Sequence, residues 1–122
     1  MQVHLSFRDM DPSPAVEERV RERAARLERY FDRITACRVV IESPHHHHHK
    51  GKLFRVRVDL TVPDGTIIAD GGRSVDSSHE DVYVAIRDAF DTARRELEDW
   101  VRRRRGEVKH HATARRSPAA EE

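Results

Sequence analysis

Residues 53–70 read LFRVRVDLTVPDGTIIAD, and no other stretch limits the fold so tightly. Phe54, Val56, Val58, Leu60 and Val62 alternate with Arg55, Arg57, Asp59 and Thr61. A period of two places the apolar set on one face of a strand and the charged set on the other, so one side of the sheet is wet. Pro63 is pre-set for a tight turn, Gly65 is able to take a positive φ, and TIIAD returns as the next strand. The chain must therefore supply something apolar to cover one face of an antiparallel hairpin.

Two helical segments meet that need. Val16, Val20, Ala24, Leu27, Phe31 and Ile34 recur every three or four residues, behind a Ser13-Pro14 opening with Glu17 and Glu18 in the first turn. Val82, Ile86, Phe90, Ala93, Leu97 and Trp100 or Val101 form a second stripe, with Ser78 as its expected cap. QVHLSFR and ACRVVIES add two further strands. The expected order is β-α-β-β-β-α, an α+β fold of two layers, with both helices packed on one face of a four-stranded sheet. Residues 1–105 are read as one domain and 106–122 as a basic, disordered tail without periodicity.

Composition narrows the function. Charged and hydrophobic residues each make up 37% of the chain, so the core is modest and the surface ionic. No apolar run reaches the roughly 20 residues of a membrane span, and MQVHLSFRD does not resemble a signal peptide. The single cysteine, Cys37, has no internal partner, which suits a reducing cytoplasm. Residues 102–122 carry +4 and residues 1–101 carry −3, which excludes a wholly basic RNA-binding domain. Any polyanion must meet a local stripe or the tail. Twenty arginines against three lysines assign that work to forked guanidinium groups.

On the first helix Arg19, Arg23, Arg26 and Arg33 fall on one flank of the apolar stripe, with Glu17, Glu28 and Asp32 largely on the other. The spacing fits two readings: a ridge that holds RNA by its phosphates, or a solvated face laced by Glu/Arg pairs. On the second helix Arg87, Arg94 and Arg95 are interleaved with Asp88, Asp91, Glu96, Glu98 and Asp99. Arg102, Arg103, Arg104 and Arg105 follow, either offsetting the helix dipole or serving as an electrostatic anchor.

The run His45, His46, His47, His48 and His49 lies between two strands. Adjacent imidazoles cannot all reach one ion in a tetrahedron, and no co-ligand pattern accompanies them, so the run is read as an exposed loop with at most adventitious metal binding. Cys37 reads as structural and His79 as a surface residue of the second helix. No phosphate loop, nucleophile-base pair or carboxylate dyad is present, so no enzyme and no cofactor are expected.

LERYFDRI, KGKLFRVRVDLTVPDGTI and HEDVYVAIRDAFDTARRELED, in that order, resemble the ribosome hibernation-promoting factor family, which includes ribosome-associated inhibitor A. The likeness spans roughly residues 1–105. It implies a fold similar to double-stranded-RNA-binding domains and a non-enzymatic, cytoplasmic translation inhibitor. Such a protein binds the rRNA of the small ribosomal subunit in the mRNA–tRNA channel, under stress or in stationary phase, with no membrane or DNA partner. Within the likeness Arg23 and Arg26 match lysines of the family pattern, Arg95 matches an arginine, and Asp81 and Tyr83 match its D-x-Y-x-A-I opening. Thr92 stands where the factors often have lysine. The His-rich loop is similar to that of a bacterial subgroup in which RG-x-VK-H leads into a cold-shock domain; here RGEVKHH is expected to lead into none. The long form's dimerisation domain is likewise not expected. The competing reading is a metal-responsive or protein-interaction domain using residues 45–49.

Overall fold

A computed structural model describes residues 1–43, 53–70 and 81–116 of the chain, with side chains through 106 in the last segment. The elements are β1 (Gln2–Arg8), α1 (Pro14–Tyr30), β2 (Ala36–Glu42), β3 (Arg55–Val62), β4 (Gly65–Asp70) and α2 (Val82–Arg116). The expected β-α-β-β-β-α order is observed. The four strands form one sheet in chain order, with β1 and β2 parallel and the other neighbours antiparallel.

The register explains the core. Leu5, Val39, Val58 and Ala69 share one row across the four strands, and Val3, Cys37, Leu60 and Ile67 share another. Alternate positions on the same strands put His4, Arg38, Asp59 and Ile68 on the opposite, open face. The apolar rows are sealed by Val16, Val20, Ala24 and Leu27 of α1 and by Ala85, Ile86, Ala89, Phe90, Ala93 and Leu97 of α2, all buried. Burying a Leu, Val or Ile side chain is worth about 1.5–3 kcal/mol each, so this apolar layer is what holds both helices to the sheet.

Local signals set the boundaries. Ser13 caps α1: its Oγ accepts the Val16 N–H at 3.3 Å, and Pro14 occupies the first turn. The helix ends earlier than the apolar spacing predicts. Phe31 is extended, with φ −144° and ψ 109°, and its N–H donates to Leu27 O at 2.9 Å. Phe31 and Ile34 still pack into the core, so their apolar character was read correctly while their helical placement was not. In the β3–β4 hairpin the left-handed residue is Asp64, φ 70°, while Gly65 pairs with Val62 in the ladder. Aspartate tolerates that region because its short polar side chain can bond locally. At the start of α2 the cap is Asp81, whose Oδ1 accepts the Tyr83 N–H at 2.9 Å. The expected cap, Ser78, lies outside the described residues, as does His79.

α2 also runs past residue 105, where the folded domain was expected to give way to a disordered tail, and continues to Arg116. Residues 106–116 include Glu107, Lys109, two alanines and two arginines, which are adequate helix formers. The one strong local penalty is Gly106, at about 1 kcal/mol relative to alanine, too little to stop a helix already nucleated. Residues 117–122 lie outside the described residues.

Candidate nucleic-acid interface

Three contacts set the relation between the helices. The Arg19 guanidinium lies 4.8 Å from the ring centre of Tyr83. The Arg94 guanidinium lies 4.9 Å from that of Tyr30. Phe31 meets Trp100 edge to face, with ring centres 5.6 Å apart. Early residues of α1 thus meet early residues of α2, and late ones meet later ones, so the helices run side by side in one direction. Arg19 to Tyr30 and Tyr83 to Arg94 span the same number of positions. By helical spacing Arg23 and Arg26 share the α1 stripe of Arg19 and Tyr30, while Arg87 shares the α2 stripe of Tyr83 and Arg94. Helical spacing thus places Arg19, Arg23, Arg26, Arg87 and Arg94 along the seam, or channel, between the two parallel helices, with Arg19 and Arg94 reaching across it.

The ion pairs along this channel leave charge to spare. The Nε of Arg19 is 3.3 Å from Glu22, that of Arg94 donates to Glu98 at 3.0 Å, and Arg87 pairs with Asp88 at 3.1 Å. These pairs are solvent-exposed, and such pairs contribute only about 0–1 kcal/mol. Arg23 and Arg26 meet no carboxylate within 4.0 Å among the described residues. The acidic flank of α1 is engaged elsewhere: Glu17 pairs with Arg21, and Glu28 binds the amino group of Met1 at 2.9 Å. The segregation read from the sequence therefore separates a cationic side facing α2 from an acidic side facing β1.

The remaining predicted arginines divide. Arg33 is exposed but lies in the turn after α1, because that helix stops at Tyr30; it does not continue the ridge. Arg95 donates to Thr92 Oγ1 at 3.2 Å and Arg102 pairs with Asp99, both on the outer face of α2. Arg103 turns toward β4, lining a depression with Thr66, Ile68 and Glu96. Arg104 lies 4.9 Å over the Trp100 ring and pairs with Asp64 in the β3–β4 turn, where it braces the hairpin against α2. Arg105 is exposed and returns by helical spacing to the channel side. The four consecutive arginines thus serve different surfaces.

Sequence reasoning did not single out Tyr30 as part of the site, and it assigned Tyr83 only through a motif. Their meeting with arginines of the opposite helix depends on which helices are neighbours, which periodicity does not encode. On the open sheet face Arg8, Arg38, Arg55 and Arg57 alternate with Glu42, Asp59 and Asp70 around a depression of about 430 Å³. A hydrogen bond from Arg57 to Asp59 at 2.9 Å, with the attraction of that carboxylate, raises the arginine's pKa further.

Burial, reinforced by the nearby Asp59 charge, pushes the Cys37 thiol up to about 12, so it is a poor nucleophile. No cluster of His, Cys, Asp or Glu able to hold a metal occurs among the described residues, and His45–His49 lie outside them. No described helix is long and apolar enough to cross a membrane.

Residues 3–105 match the family model described as Sigma 54 modulation protein / S30EA ribosomal protein. A ribosome hibernation promotion factor of Deinococcus radiodurans is 35% identical over 104 residues, covering 84% of this chain and 51% of the relative. The chain thus spans about half the length of that protein. A ribosome hibernation promoting factor of Azotobacter vinelandii is 31% identical over 112 residues, covering 88% of this chain and 92% of the relative. Among solved structures, a ribosomal subunit interface protein from Coxiella burnetii superposes with a TM-score of 0.67 at 17% identity, over 82% of this chain and 97% of that one. The N-terminal domain of Thermus thermophilus Protein Y gives 0.65 at 22% identity, over 82% and 99%. At those identities the structures show a shared fold.

Proposed function

Because this chain belongs to the Sigma 54 modulation protein / S30EA ribosomal protein family, we propose that it is a ribosome-associated hibernation factor that silences translation by occupying the small subunit. The family is one of ribosome-binding factors and not of enzymes. In this reading the channel between α1 and α2 lies against rRNA where mRNA and tRNAs would pass, in the cytoplasm, under stress or in stationary phase. Arg23 and Arg26 make the primary phosphate contacts, Arg87 exchanges its weak carboxylate pair for phosphate, Arg19 and Arg94 add contacts at the two ends, and Arg105 extends the track.

One arrangement carries this reading: Arg19 and Arg94 reach across two parallel helices, helical spacing lines Arg23, Arg26 and Arg87 up with them, and the central two on α1 have no carboxylate partner among the described residues. A rigid polyanion fits that line, because phosphate contacts need closely spaced cations and no pocket. Arg95 and Arg102 would be peripheral, Arg33 and Arg103 further from the line, and Arg104 structural.

Sedimentation through a sucrose gradient tests the proposal. The protein should travel with purified small subunits at low salt and be released as salt rises, because phosphate binding displaces counterions. A protein that stays at the top of the low-salt gradient would overturn it.

A further inference from the structure

The two Arg–Tyr contacts share a geometry that the proposed binding mode does not by itself require. Arg94 projects from α2, its Nε–H is held by Glu98 of the same helix at 3.0 Å, and its guanidinium carbon lies over the Tyr30 ring of α1. Arg19 projects from α1, its Nε is 3.3 Å from Glu22 of the same helix, and its guanidinium carbon lies over the Tyr83 ring of α2. The arrangement is reciprocal: each helix supplies one arginine, one carboxylate for that arginine, and the ring beneath the other helix's arginine. Arg94 is restrained by its Nε hydrogen bond and its ring contact, Arg19 by an exposed ion pair and its ring contact, and neither donates a hydrogen bond from its Nη atoms to a carboxylate among the described residues. The contacts are separated by eleven positions on each helix, about 16 Å at the α-helical rise.

We propose that Tyr30 and Tyr83 are positioning residues of the interface, each holding an arginine of the opposite helix with its Nη fork turned outward, so that the channel ends in two pre-set phosphate clamps. A free arginine side chain loses rotamer freedom when it binds, and a stacked one has lost much of it beforehand. Tyr30 is 40% exposed, so its ring is open to the Arg94 guanidinium at the surface. The ring matters through its face, and the hydroxyl does not take part. This inference rests on the rRNA-binding reading and adds that affinity depends on two uncharged residues.

The test measures equilibrium binding of the full chain to purified small ribosomal subunits across a salt series. Tyr30→Leu and Tyr83→Leu should each weaken binding about three- to tenfold. Tyr30→Phe and Tyr83→Phe should stay within about twofold of the parent, since phenylalanine keeps the ring face. The slope of log affinity against log salt should not change in the leucine variants, because every cation is still present. Arg94→Gln should flatten it by about 0.7–0.9. Combining Tyr30→Leu with Arg94→Gln should lose no more than Arg94→Gln alone, a coupling that a merely structural tyrosine would not show. Leucine variants that bind like the parent, phenylalanine variants that lose as much as leucine, or additive losses in the double variant would each overturn the proposal. If the parent itself fails to bind small subunits, the proposed function falls first; if the parent binds and the tyrosine series is flat, only this inference falls.

Discussion

Reversing Arg23 and Arg26 to glutamate probes the centre of the channel without touching the core. Both side chains project from the α1 flank that faces α2, and neither meets a carboxylate within 4.0 Å among the described residues, so the exchange breaks no ion pair there. Surface substitutions of this kind usually change folding stability by no more than about 0.5 kcal/mol. Binding should respond very differently. A hydrogen bond to a charged group is worth about 1.5–3 kcal/mol. Two lost contacts therefore remove about 3–6 kcal/mol, a loss of roughly two to four orders of magnitude in affinity. Repulsion from the new carboxylates adds to that. Losing two phosphate contacts should also flatten the salt dependence by about 1.4–1.8 in the slope of log affinity against log salt. The comparison variant is Arg8→Glu with Arg29→Glu, which makes the same change in net charge at exposed positions outside the channel. Anisotropy titrations of labelled protein with purified small subunits, run at several salt concentrations, measure both quantities. Equal losses in the two double variants would show that net charge, and not the channel, drives binding. Parent-like affinity in the Arg23/Arg26 variant would refute the assignment directly.

Three further outcomes concern the fold that presents the channel. Leu97→Ala removes a fully buried side chain where α2 meets the sheet and should cost about 2–5 kcal/mol in urea denaturation; a loss below about 1 kcal/mol would mean that the site collapses around the cavity. Gly106→Ala should raise helicity and stability by about 0.5–1 kcal/mol, read by far-ultraviolet circular dichroism and melting, because the added Cβ meets nothing within 4 Å. Cys37 should resist thiol reagents at pH 8 in the native protein and react rapidly once unfolded, since a thiol pushed up to about 12 is almost wholly protonated there. The sign of the linked effect follows: the native state holds the proton that the unfolded chain releases near about pH 8.5, so this contribution to stability is complete below that pH and is lost as pH rises toward 12. A Cys37→Ala variant should lack that alkaline loss.

How much of this was legible beforehand varied with the range of the interaction. The alternation of Val56, Val58, Leu60 and Val62 and the three-and-four spacing of Val16, Val20, Ala24 and Leu27 are local patterns, and each appears on the expected face. Errors arose where several backbones suit the same residues. Phe31 and Ile34 bury equally well in a turn as in a helix, and Asp64 took the left-handed position that Gly65 was free to adopt. The arginine ridge was visible as an azimuth on one helix, yet its meaning depended on a neighbour that no spacing reveals. Arg87 and Arg94 become part of one channel with Arg19 and Arg23 only because α1 and α2 lie side by side in the same direction. Arg104 shows the reverse: a residue in a basic run that the fold diverts to a hairpin some forty positions away in sequence.

The sheet keeps its strands in chain order, and this shapes how the molecule can assemble. β2, β3 and β4 join by connections between antiparallel neighbours, closures that demand little loss of loop entropy. β1 must wait for the chain to pass through the whole of α1 before it can lie parallel to β2. The channel-bearing helix is therefore also the bridge of the longest connection in the sheet, and a variant in which it fails to dock would leave the first strand an unpaired ribbon at the sheet's margin.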